Sequence, residues 1–143
     1  MPRAFTEAER QEFLAGQHVA VLSVDANGGR PPASMPIWYN YIPGGNLQIS
    51  TVPSTRKARL IRQAGAVTLV VHRALWPYQY IIVEGTVVDI TTPSPIGIRE
   101  AIAIRYLGDE SGRDHVRRMG EFDSVLFTIR PDRWITADYA SDP

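Results

Sequence analysis

Residues 50–59 read Ser-Thr-Val-Pro-Ser-Thr-Arg-Lys-Ala-Arg, a strand end rich in hydroxyls that runs straight into the start of a helix. Between positions 54 and 64 the chain carries Arg56, Lys57, Arg59 and Arg62 and no acid. Positive charge in a first helical turn opposes the macrodipole, whose own positive end lies there, so this turn calls for an anion. Helix N-terminal amides, the hydroxyls of Ser50 and Thr51, and the Arg56–Lys57 pair would together make a phosphate cradle. A solvated basic helix face has the same composition, and the residues alone leave both readings open.

Other chemistry is harder to find. The three histidines, His18, His72 and His115, are far apart in sequence and show no metal-ligand spacing. There is no Gly-x-Ser-x-Gly elbow, no Walker loop and no Gly-x-Gly-x-x-Gly run, so hydrolysis and phosphoryl transfer are poor candidates. Two aromatic stretches stand out. Trp38, with Tyr39 and Tyr41, could be barrel core, a subunit interface or a platform for a planar ring; Trp76, Tyr78 and Tyr80 could cover such a ring or anchor an interface.

The elements that must position these groups are legible from pattern. Thr6 with Glu9 three residues on is a capping box, and the helix it starts ends at Gly16. His18–Val24 is a β-branched strand closed by the turn at 25–29. Residues 32–41 form a second strand, which Pro36 places at an edge or bulge because it lacks a ladder donor. After the turn at 43–46, residues 47–52 form a third strand, and the basic helix follows at once to Gly65. Ala66–His72 and Tyr78–Asp89 are apolar strands, Ser94-Pro95 opens a further helix by the cap-then-proline rule, and Asp123–Arg130 is the last strand. The segment after it, with Trp134 and Tyr139, is polar enough to be expected to fold back as a tail, with residues 141–143 disordered. Six strands joined by hairpin-length turns, with two or three short helices, predict a mostly β fold, an antiparallel barrel with helices at its ends.

Composition bounds the rest. A chain of 143 residues is the size of one domain, here 1–143, and it has no cysteine for a disulfide, a zinc ribbon or thiol chemistry. Fifteen Lys+Arg balance fifteen Asp+Glu, so no overall field favours nucleic acid or an anionic membrane. No apolar run approaches a membrane span, no signal peptide opens the chain, and the absence of cysteine fits a reducing compartment. The expectation is a soluble cytoplasmic protein.

One ordered set of features carries a resemblance. A strand ending in hydroxyls, four residues, and Arg56-Lys57 opening a helix resembles the flavin-phosphate site of the pyridoxamine 5'-phosphate oxidase-like split-barrel superfamily. Trp38, the hairpin at 44–47, Lys57-Ala58-Arg59-Leu60, the strand at 66–72 and Val83-Glu84-Gly85-Thr86 follow in that family's order, over about residues 10 to 130. Within the superfamily the chain is similar to the actinobacterial flavin/deazaflavin oxidoreductases, many of which use the deazaflavin coenzyme F420 instead of FMN. The resemblance implies a six-stranded antiparallel split β-barrel and a homodimer with the cofactor near the subunit interface. Hydride transfer to or from a small planar substrate would be its activity. It implies that Ser50, Thr51, Arg56 and Lys57 hold the cofactor phosphate and that Arg59 reaches the phosphate or a longer tail. Met35, Pro36, Ile37 and Trp38 would lie along the ring, with Tyr78 as a cover; for Met35 and Ile37 plain core is the competing role. F420 is favoured and FMN is the alternative. A non-catalytic cofactor carrier would share the site, and a nucleic-acid-binding barrel fits less well because the basic residues sit on one short helix.

Overall fold

The computed structural model describes residues 2–140, so the disorder expected at 141–143 lies outside the described residues. Helix α1 (Glu7–Ala15) begins with the expected reciprocal cap: Glu9 N–H donates to Thr6 Oγ1 and Thr6 N–H to the Glu9 carboxylate. Strand β1 (Ala20–Val24) alternates buried and half-exposed positions, as a strand with one face on the core must. Then come β2 (Ala33–Ile37), the two-residue β3 (Asn40–Tyr41) and β4 (Leu47–Thr51). They are followed by α2 (Arg56–Ala64), β5 (Ala66–Arg73) and β6 (Gln79–Thr91). Helices α3 (Ile96–Leu107) and α4 (Asp109–Met119) pack as a hairpin, and β7 (Val125–Asp138) ends the fold.

The strands form one open antiparallel sheet in the order β2-β1-β5-β6-β7-β4-β3. This corrects the six-stranded barrel expected from the sequence. The segment read as one strand over 32–41 is broken at Trp38–Tyr39, and its halves go to opposite ends of the sheet: β2 pairs with β1, while β3 pairs with β4. Pro36 is tolerated because β2 is an edge. A single chain segment thus bridges the two edges, and side chains from every strand meet in one core that includes Leu22, Tyr39, Leu47, Leu69, Ile81 and Phe127.

Two further expectations are corrected. The segment after Arg130 is no tail: β7 runs on to Asp138, in register with β6 as far as Gln79. The polar run Arg130–Arg133 hides this strand in the sequence. In the structure the register shifts at Glu84/Gly85, Pro131 faces Gly85, and Asp132 binds both Thr86 (2.5 Å) and Arg130 (2.8 Å). Such a bulge is where a β-strand accepts proline. Gly85 is required here, since a Cβ would lie 2.5 Å from Ile129 Cγ2 and 2.8 Å from the Arg130 carbonyl.

The second correction is at the helices, of which the described residues hold four. Helix α4 was not expected because its apolar positions are few; it is buried only through Gly112 and Val116. Gly112 lets it approach α3, where a Cβ would meet the Ile104 backbone at 2.5–2.6 Å. Nor does Ser94 cap α3. That helix has no side-chain cap, and Ser94 Oγ lies 2.7 Å from Ser50 Oγ instead. Among the described residues no helix is long and apolar enough to cross a membrane, and no group of metal-ligating side chains gathers.

Candidate functional site

Strand β4 is held by pairing with β7, Ser50 opposite Leu126 and Thr51 opposite Val125, which fixes where the chain leaves the sheet. Thr55 then starts α2: its side chain accepts from Ala58 N–H (3.2 Å) while its hydroxyl donates to the Val52 carbonyl (2.8 Å). That cap uses one of the orphan amides of the first turn. Ala58, Leu60 and Ile61 bury the opposite stripe of the helix. Anchoring that stripe sends Lys57 to one side, half-buried against the sheet edges, and leaves Arg56 and Arg59 exposed.

A cleft of about 410 Å³ opens between the β2 edge and β4, the strand next to the opposite edge. From β2 and the residue after it come Pro36, Ile37 and Trp38; from β4 come Ile49, Ser50 and Thr51; from α2 comes Lys57. Val19 and Ile102 of α3 close it. Six of the residues singled out from the sequence are thereby brought together, although they belong to strands at opposite ends of the sheet order. The indole of Trp38 is stacked on Tyr106 (4.7 Å between centroids, 14° between planes) and remains 40% exposed. Tyr106 is fixed in turn by donating to the His18 carbonyl (2.6 Å) and accepting from Tyr39 N–H (3.2 Å). Ser50 is fixed by Ser94.

The electrostatics of the cleft centre on Lys57. Desolvation pushes its amine below the usual lysine value, with no compensating charge among the causes. A half-buried ammonium that forms no ion pair among the described residues is the arrangement an incoming anion would relieve. Ser50 and Thr51 line the same cleft beside it. The donors present therefore fit a phosphate.

Four of the expected residues lie elsewhere in this chain. Arg56 and Arg59 project from α2 into solvent and do not line the cleft. Met35 packs against the core. Tyr78 stacks on Tyr139 (5.5 Å) near the far end of β6, and its carbonyl accepts from Tyr139 N–H. Val19, Ile49 and Ile102 were missed because an apolar side chain beside or on a strand or helix stripe reads as core, and no local signal marks one that borders a cleft. A larger cavity, about 780 Å³, lies around residues 92–99 and 121–124. It sets Glu121 and Asp123 against the single cation Arg99, which is the wrong balance for a phosphate.

No family model matches the chain, and no curated protein matches it either. Solved structures do. A conserved hypothetical protein from Mycobacterium tuberculosis superposes with a TM-score of 0.77 at 19% identity, over 97% of this chain and 90% of its own. An F420 reductase gives 0.64 at 23%, over 87% and 94%. A FAD-binding protein from Mesorhizobium loti gives 0.65 at 18%, over 96% of each chain. Identities this low establish shared architecture alone, and that architecture agrees with the resemblance carried by the ordered features between residues 10 and 130.

Proposed function

We propose that this protein is an oxidoreductase whose cleft binds a flavin-type cofactor by its phosphate, and that it passes hydride between that cofactor and a small planar organic substrate. The observation that carries the reading is Lys57, desolvated and without an ion-pair partner among the described residues, in one cleft with Ser50, Thr51, Pro36, Ile37 and Trp38. The likeness of the fold to an F420 reductase and a FAD-binding protein supports it.

When bound, such a cofactor supplies the hydride chemistry, which explains why no catalytic motif is needed in the chain. The protein's own residues bind, orient and exclude water. Lys57 would hold the phosphate, with Ser50 and Thr51 completing its hydrogen bonds. The backbone of Pro36–Trp38 would run along the ring, since an edge strand whose Pro36 has no N–H to offer cannot be capped by another strand. Val19, Ile49 and Ile102 would keep water from the ring, raising the strength of every polar contact inside.

Within this reading F420 is favoured over FMN. Arg59 and Arg62, exposed on α2 and three residues apart, are available to its longer acidic tail, although they do not reach the cleft. The chain would act as a two-fold dimer. Exposed apolar groups such as Leu75, Trp76 and Tyr78 are the type of surface that subunit contacts cover, and a partner is one way for Tyr78 to approach a cofactor. Fluorescence titration with F420 and with FMN tests the assignment. Tighter F420 binding is expected, with an advantage that shrinks in Arg59→Ala/Arg62→Ala and at high salt. Equal affinities, or an FMN preference with peroxide formed on turnover, would move it to FMN. Tight binding without turnover by any reductant would make the protein a carrier.

A further inference from the structure

A recess of about 110 Å³ lies between the α3–α4 hairpin and β4, and it shares Trp38, Ser50 and Ile102 with the cleft. Its remaining walls are Ala103, Val116, Met119 and Phe122, with Arg99 and His115 as its other polar groups. An engineered apolar cavity of about 150 Å³ encloses a benzene molecule, so this smaller recess admits one ring at most, with part of it left outside toward the cleft. The polar groups are selective in kind. Arg99 is held by its stacking over Phe122 (4.5 Å) and by donating from Nη2 to the Gly120 carbonyl (3.2 Å). A guanidinium offers five N–H donors and no acceptor, and imidazole and hydroxyl can also donate. Among the described residues no carboxylate lines the recess, so nothing there favours a cationic ligand.

We propose that this recess is the substrate subsite of the cleft and that it takes a single aromatic ring bearing an acceptor oxygen, a carboxylate being the best match to Arg99. Its role as a substrate subsite rests on the cofactor reading above, whereas its capacity to hold a ring does not. The shared wall is what connects the two. A ring seated between Ile102 and Phe122 would abut a cofactor ring lying along Pro36–Trp38, with Ser50 at the boundary. Specificity would then reside in α4, through His115, Val116 and Met119.

Benzoate is the probe. Ligand-observed NMR on the full chain without cofactor should show saturable benzoate binding. That binding should weaken by about tenfold or more in Arg99→Met, which keeps the aliphatic stem and loses the charged donors. Val116→Phe should fill the recess from within; since Val116 is buried and this change could disturb folding, Met119→Trp, at a position 51% exposed, obstructs the mouth independently. With F420 bound, benzoate should change the coenzyme's fluorescence. Absence of saturable benzoate binding, or binding indifferent to both Arg99→Met and Met119→Trp, overturns the proposal. Unchanged F420 fluorescence at saturating benzoate overturns the substrate role. If neither cofactor binds while benzoate still responds to the recess variants, the cofactor reading falls and a ring site remains.

Discussion

Helices α2 and α4 are both short, both amphipathic and both rich in arginine, yet their charges are arranged in opposite ways. Helix α4 carries Asp109 and Glu110 in its first turn and Arg117 and Arg118 in its last, the order the macrodipole favours. Its cations are also paired: Arg113 with Asp109 at 3.2 Å, and Arg117 and Arg118 with Asp114 at 3.5 and 3.1 Å. Helix α2 has no acid in its first turn and begins with Arg56 and Lys57. A helix that neutralises itself needs nothing from outside, whereas one with cations at its positive end, one of them desolvated, is poised for an anion. The number of cations, four against three, would barely separate these helices; the acids, the charge order and the burial do.

The largest expected effect separates them by ligand. Lys57→Met should lower affinity for a phosphate-bearing flavin-type cofactor by about 1.5–3 kcal/mol, ten- to a hundredfold, the contribution of a charge-assisted hydrogen bond. Arg117→Met/Arg118→Met should leave it nearly unchanged, and equal losses in the two variants on fluorescence titration would erase the distinction. The folded state should not suffer from Lys57→Met. Because burial lowers the Lys57 pKa, its charged form is penalised on folding, so removing it should hold or raise the denaturant midpoint at neutral pH.

A structural effect of similar size belongs to α4. Gly112→Ala would drive a Cβ into the Ile104 backbone, and overpacking of this kind costs ~1–3 kcal/mol, with the hairpin forced away from α3. Thermal unfolding should report it, and benzoate binding should weaken with it if the recess is formed as described. A smaller loss, ~1 kcal/mol, is expected for Thr55→Ala, which removes the only side-chain cap of α2. Helix α4 has Gly108 in the same place and no side-chain cap to lose. Asp114→Asn should cost least, about 0.5 kcal/mol, and less at high salt, because its arginine partners are exposed.

The pH dependence of binding sharpens the comparison further. Lys57 must be protonated to hold an anion. Affinity should therefore be fully present below its lowered native pKa and be lost as pH rises through that value, before an ordinary lysine at 10.5 would deprotonate. Binding should correspondingly raise the Lys57 pKa, which NMR of the lysine side chain can follow. A profile flat up to 10.5 would mean that burial at this position does not matter to recognition.

What the sequence determined by itself is local. The capping box of α1, the proline-bearing edge of β2 and the passage from β4 into α2 all depend on hydrogen bonds and torsional preferences spanning a few residues, and each was legible. So was the cation-rich first turn of α2, a conflict with the dipole that an anion or a solvated basic face would each answer. Tertiary structure decided which of those cations lines the cleft. Lys57 and Arg56 are neighbours in sequence, but burial of Ala58, Leu60 and Ile61 turns Lys57 to the cleft and Arg56 to solvent. It decided that the segment from 32 to 41 would split between two sheet edges, since strand pairing is chosen by partners far away in the chain. It also decided that β7 would run through a polar stretch to Asp138, because Gly85 and Pro131 meet at a bulge that neither specifies alone. Helix α4 was invisible for the same reason: its anchor is a missing side chain at Gly112, and absence of volume has meaning only against the backbone it allows to approach.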